Sequence, residues 1–102
     1  MTFDEVKTTV SQNNNSPFST EIIIAICWME SSFNPSATSS SSSAAGLMMM
    51  TNGAIDTVNN NTPSGTHFYV TDRMTPSLAV SRRVAYIPNH VFDTNKTSMT
   101  FS

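Results

Sequence analysis

The longest apolar run in the chain is Ile22-Ile23-Ile24-Ala25-Ile26-Cys27-Trp28-Met29, and the residue that follows it is Glu30. Such a run has to be buried, yet it falls far short of the roughly 20 residues that cross a bilayer, so no membrane insertion is expected. Helix and strand compete for Ile22–Ile26. The pattern continues through Cys27-Trp28-Met29-Glu30, which is long for a buried strand and favours a helix. That helix starts between Pro17 and Glu21, with Ser16, Ser19 or Thr20 as N-cap, and runs to about Ser32. Being apolar on nearly all sides, it is expected to be central. Pro35 closes off any extension, so a carboxylate stands where the helix runs out.

Other segments fall into place around this helix. Thr2 and Glu5 have the spacing of a capping box, and Phe3, Val6 and Val10 give a helical stripe ending by Gln12-Asn13-Asn14-Asn15. Residues 34–43 contain five consecutive serines, Ser39 to Ser43, and read as a surface loop. Ala44 to Met50 is expected to begin another helical element, continued by Ala54, Ile55 and Val58. A turn-rich break, Asn59 to Gly65, leads to a short extended segment, Thr66 to Val70. The last helix is expected at Thr75-Pro76, with Leu78, Val80, Val84, Ile87 and Val91 as apolar positions and a kink or end at Pro88. The tail from Asp93 is polar. These elements predict one mainly α domain over residues 1–102, near the common domain size.

Charge and cysteine content exclude several functions. Charged residues are only 12% of the chain and the net charge is −2, which argues against nucleic-acid binding. The adjacent Arg82 and Arg83 read as a solvated helix face. A single cysteine, Cys27, permits no internal disulfide and no CxxC zinc site; it reads as a small buried hydrophobe. His67 and His90 have no metal-ligand spacing, and no metal or cofactor is expected. The N-terminal residues lack a basic stretch followed by an apolar one, so the chain is expected either to be a catalytic piece of something longer or to be secreted by a route without a cleaved signal.

A carboxyl group that ends an apolar helix experiences two effects of the same sign. Burial disfavours its charged form, and so does the negative end of the helix dipole. Both raise its pKa, which is the property a glycosidase requires of its general acid. The alternative is a Glu30 that simply faces water at the end of an amphipathic helix.

The segment "IIIAICWMESSFNPSA" followed by "SAAGLMMMT" resembles the soluble lytic transglycosylase family of the goose-type lysozyme-like group. The family pattern Glu-Ser-x-Phe-x-Pro-x-Ala is complete at Glu30, Ser31, Phe33, Pro35 and Ala37. Its Gly-Ala-x-Gly-Leu-Met-Gln is matched at Ala44, Gly46, Leu47 and Met48. A weaker match covers Pro76, Ala79-Val80, Arg83 and Tyr86-Ile87, where Ala79 and Arg83 stand at the family's Asn and Gly. The motif-bearing core is residues 17–90. Met49 replaces the family's Gln, Ser43 replaces its usual Gly, and the Ala-Tyr-Asn-Ala-Gly motif that closes the cleft opposite the Glu is not found.

The resemblance implies a small lysozyme-like domain that cuts the bond between N-acetylmuramic acid and N-acetylglucosamine in a peptidoglycan glycan strand, in the periplasm or cell wall. Glu30 would be general acid and then base, giving a 1,6-anhydro product. Substrate contacts are expected from Ser31, Gly46, Leu47, Met48, Met49, His67, Tyr69 and Tyr86, with Phe68 as a further aromatic candidate. Trp28 and Phe33 read as core. A hydrolase would need a second carboxylate, for which Asp72 is the candidate. A binding domain that does not cut is the other alternative. The Met50-Thr51-x-Gly53-Ala54 run is closer to effector and phage members than to housekeeping ones. It suggests a secreted antibacterial toxin, such as a type VI secretion effector, with a cognate immunity protein over the cleft.

Overall fold

The computed structural model describes residues 1–62 and 67–84. Among these, four α-helices and one 3-10 helix carry the regular structure, joined by isolated bridges rather than strands. The chain is mainly α, as expected. No helix among the described residues is long and apolar enough to cross a membrane. The expected positions Ile87, Pro88 and Val91, with the tail from Asp93, lie outside the described residues.

Helix α1 spans Phe3–Asn13. Its capping box forms as the sequence requires: the Glu5 amide donates to Thr2 Oγ1 at 3.1 Å and the Thr2 amide to Glu5 Oε1 at 2.8 Å. Val6 and Val10 enter the core, whereas Phe3 is exposed and faces the Phe33 ring at 6.4 Å between centroids.

Helix α2 spans Thr20–Ser31, and Ser19 is its N-cap, accepting from the Ile22 amide at 3.3 Å. The expectation of a helix buried on all sides is corrected. Ile23, Ile24, Ile26 and Cys27 are buried, while Ile22, Trp28 and Met29 remain 38%, 56% and 54% exposed. A domain this small has too little volume to surround a helix. Here α1 packs against α2 and α4, leaving the opposite face of α2 open. Trp28 is therefore not core; its ring stands edge-on to Phe33 at 5.0 Å. Ser32 and Phe33 then take left-handed backbone conformations, φ 53° and 67°, which turn the chain sharply out of α2. Neither is glycine, so each costs about 1–2 kcal/mol; burial of part of the Phe33 side chain against the core offsets this.

The helix expected from Ala44 does not form. Residues 45–50 make a tight turn in which Ala45 and Met50 exchange backbone hydrogen bonds of 3.2 and 3.0 Å. Gly46 at φ +88° and Met49 at φ +47° are incompatible with a right-handed helix, and this outweighs the apolar pattern. Helix α3, Asn52–Asn60, begins only afterwards, where Thr51 Oγ1 accepts from the Ala54 amide at 3.0 Å. The serine stretch is an ordered surface loop: Ser39, Ser42 and Ser43 hydroxyls accept from the amides of Ser41, Ala44 and Asn52. A 3-10 helix, Val70–Met74, precedes α4, Pro76–Val84, which starts with Pro76 as expected. One core cluster joins α1, α2, the 45–50 turn, α3, Phe68 and α4.

Candidate active site

Glu30 follows the buried Ile23, Ile26 and Cys27 by seven, four and three positions. At 3.6 residues per turn this spacing puts its carboxyl on the core face of α2, at the last turn. The side chain is half-buried. Burial pushes its pKa up, and the Arg83 guanidinium opposes this to a lesser degree. The sequence argument for a raised pKa at this position therefore meets its physical cause in the structure, with desolvation as the larger effect. Cys27, one turn back, is buried and its thiol is pushed up to about 12, mainly by desolvation, with Glu30 adding to it. It stays protonated and is no nucleophile.

Ser31 ties Glu30's helix end to the second motif. Its hydroxyl donates to the Leu47 carbonyl at 2.6 Å and lies 3.1 Å from the Cys27 carbonyl of the preceding turn. With one proton to give, it acts as a brace between α2 and the 45–50 turn. Gly46 is required in that turn on two counts. Its φ is +88°, and a Cβ there would lie 2.1 Å from the Arg73 carbonyl oxygen. Arg73 holds the same junction from the other side, donating to the Met50 carbonyl at 3.0 Å and to Asn52 Oδ1 at 2.9 Å.

The sequence-derived contacts separate into groups. The side chains of Leu47 and Met48 are fully buried in the core, where they fix the turn. Met49 is partly exposed, and its left-handed φ turns it away from its buried neighbours Met48 and Met50. Phe68 is also core, 1% exposed, with its backbone held on both sides by the Asn59 amide group, at 2.9 and 3.0 Å. That clamp leaves His67 and Tyr69 exposed on either side of it, their rings 4.6 Å apart and edge to face. Tyr86 lies outside the described residues.

Asp72 accepts from the Tyr69 amide at 2.9 Å and so caps the 3-10 helix. Asp56 is exposed on α3. Among the described residues, no group of three or more His, Cys, Asp or Glu side chains could hold a metal ion. A depression of about 410 Å³ lined by Met1, Asp4, Glu5, Thr8 and Thr9 lies along α1. Glu5 is engaged there in its capping box, Met1 donates to the Phe33 carbonyl at 2.7 Å, and Glu30 is not among the lining residues.

Arg83 is the residue that sequence reading missed. Expected on a solvated face, it is 3% exposed. The signal was present: with Ala79, Val80 and Val84 it falls in the apolar register of α4, where a charged residue calls for an explanation.

The model of one protein family, the transglycosylase SLT domain, matches residues 8–100. No curated protein and no solved structure matches the chain.

Proposed function

Starting from a chain that belongs to the transglycosylase SLT domain family, we propose that Glu30 is the general acid and then the base of a peptidoglycan lytic transglycosylase. The observation that carries this reading is the half-buried carboxyl on the core face of α2, whose pKa is raised by desolvation. A neutral carboxylic acid held in this way can protonate the oxygen linking N-acetylmuramic acid to N-acetylglucosamine. The C1–O bond then breaks, and the N-acetylglucosamine side leaves as an alcohol. Positive charge develops at C1 of the muramic acid, and Glu30 is now a carboxylate. It takes the proton of the muramic acid 6-hydroxyl while O6 bonds to C1. The product is a 1,6-anhydro sugar, and Glu30 has its proton back.

A single carboxylate suffices for this cycle. Hydrolysis by inversion or retention would place a second carboxyl within about 5–9.5 Å of the first. Asp72, the candidate for that role, is engaged with the Tyr69 amide. The charge that bears on Glu30 among the described residues is a cation, Arg83. Both observations favour the anhydro route over the muramidase one. The exposed pair His67 and Tyr69 supplies ring faces suited to stacking on sugars, and Met49 is the partly exposed residue of the turn. For biological role, the similarity of residues 50–54 to effector members favours an antibacterial toxin acting on the cell wall, with an immunity protein that covers Glu30.

Mass spectrometry of purified peptidoglycan digested with the protein tests the chemistry, beside a Glu30→Gln control. Anhydro-muropeptides that disappear in the control are expected. Reducing-end products would replace the transglycosylase by a muramidase. An absence of products from folded protein would overturn the enzymatic reading.

A further inference from the structure

Phe68 places its ring in the core, and its backbone amide and carbonyl go in with it. Such groups need partners. The Asn59 side chain supplies both: its Nδ2 donates to the Phe68 carbonyl at 3.0 Å, and its Oδ1 accepts from the Phe68 amide at 2.9 Å. The next amide, that of Tyr69, donates to Asp72 Oδ2 at 2.9 Å. Tyr69 has extended backbone angles, φ −82° and ψ 153°. Side chains alternate along an extended chain, so with Phe68 turned inward its two neighbours turn outward together. Tyr69 is 61% exposed, and its ring meets that of the exposed His67 at 4.6 Å and an interplanar angle of 68°. Both rings therefore stand on a backbone that side-chain hydrogen bonds from Asn59 and Asp72 hold in place.

We propose that Asn59 is a positioning residue: its two bonds to Phe68 hold His67 and Tyr69 as a preformed platform on which a neutral N-acetylated pyranose of the glycan strand stacks. The sugar class rests on the peptidoglycan reading given above. Aromatic faces carry negative charge density and the C–H bonds of a sugar face the complementary positive one, while the imidazole and phenol offer polar tips to hydroxyl and acetamido groups. Binding costs less when the side chains that make the contact are already ordered. An uncharged ligand fits this surface, because the charged residues of the 3-10 helix are engaged within the protein: Asp72 with the Tyr69 amide, Arg73 with the Met50 carbonyl and Asn52. Val70 and Met74 on the same helix are 46% and 38% exposed and add apolar surface. That helix also meets the second motif, where Gly46 packs against the Arg73 carbonyl. The platform and the turn braced to Ser31 therefore share one framework. In this scheme Asn59 does not touch the sugar; it acts through Phe68.

The test is an NMR titration with the β-1,4-linked trimer of N-acetylglucosamine, in the Glu30→Gln background so that no bond is cut. The ring signals of His67 and Tyr69 are expected to shift on binding. Asn59→Asp keeps the shape and the acceptor but sets an oxygen against the Phe68 carbonyl, and it is expected to bind about tenfold more weakly. Tyr69→Leu removes the ring and leaves the clamp; it is expected to lose binding at an unchanged Tm. In the catalytic assay the loss in Asn59→Asp falls on KM rather than on kcat, which a general loss of folded protein would not produce. Ring signals that stay in place at millimolar trimer, or equal affinity in folded Asn59→Asp, would overturn the proposal. If Asn59→Asp does not fold, Tyr69→Leu and hydrogen exchange of the Phe68 amide in the Glu30→Gln protein decide. Binding lost with a protected amide supports the proposal; binding retained, or an amide that exchanges as in an unfolded chain, overturns it. Trimer binding by a protein inactive on peptidoglycan would defeat the transglycosylase reading and leave the platform standing.

Discussion

Replacing Gly46 by alanine tests whether the turn beneath Glu30 is held as described. The φ of +88° costs an alanine roughly 1–2 kcal/mol relative to glycine. The added Cβ would lie 2.1 Å from the Arg73 carbonyl oxygen, where real Cβ atoms stay at 3.0 Å or beyond. The obstacle is backbone, so either the turn or the 3-10 helix must move by roughly 1 Å. Arg73 bonds to Met50 and Asn52 across this junction, and a shift of that size weakens one or both. A charge-assisted hydrogen bond is worth about 1.5–3 kcal/mol. Strain plus one lost bond gives about 2.5–5 kcal/mol, a large part of the about 5–15 kcal/mol available to a small domain. Thermal unfolding followed by circular dichroism should show a fall in Tm of roughly 15–30 °C. Gly53→Ala is the control: its φ is ordinary, its nearest obstacle is Thr51 Oγ1 at 3.9 Å, and it lies exposed in α3. That change should stabilise by about 0.5–1 kcal/mol. A Gly46→Ala loss under about 1 kcal/mol would refute the close approach of the turn to Arg73.

Glu30 affects stability with a definite sign. Its folded pKa is raised above the ordinary 4.5, so the native state binds the proton more tightly than the unfolded chain. Its contribution is fully present below the unfolded value and is lost as pH rises from there through the folded one. Glu30→Gln should therefore gain stability relative to wild type as pH rises through that window while losing activity, and urea unfolding at several pH values checks the direction. Ser31→Ala removes the 2.6 Å bond to Leu47 and leaves a part-buried carbonyl without that donor. Unfolding should show a loss of about 1–2 kcal/mol, and kcat should fall more than KM changes because the brace holds the end of α2. Expression in a Gram-negative host with an export signal should lyse cells, where cytoplasmic expression does not and exported Glu30→Gln does not; viable counts decide, and equal toxicity from the cytoplasm would argue against a wall substrate.

Local signals in the sequence were sufficient for α1, with its Thr2–Glu5 box, for the existence of α2, for the start of α4 at Pro76 and for the serine stretch as a surface loop. In each case the determining interaction lies within a few residues, as with the Glu5 amide on Thr2 or the Ala44 amide on Ser42. The misread segments depend on partners distant in sequence. Apolar residues 44–50 satisfy a helical pattern, but Gly46 is fixed by the backbone of Arg73, and Met50 by its guanidinium. Trp28 continues an apolar run yet stays exposed, because α1 covers only one side of α2. Phe68 was grouped with its aromatic neighbours, whereas the clamp from Asn59 puts it in the core and leaves His67 and Tyr69 outside.

These departures are not scattered. Ser31 on Leu47, Gly46 against Arg73 and Arg73 on Met50 form one chain of contacts, and it begins at the residue next to Glu30. Arg83, the misread cation, is buried in the apolar register of α4. An apolar pattern reports which side chains avoid water; it carries no information about which carbonyl a hydroxyl will meet or which charge a buried cation will face. Those are the interactions that set a proton affinity and hold a helix end in place, so agreement between local pattern and tertiary structure is expected to fail first around a functional group, which is the role proposed for Glu30. The motif Glu30-Ser31-x-Phe33 singles out that residue in the sequence. The brace from Ser31 to Leu47 is visible only once α2 and the 45–50 turn are brought together.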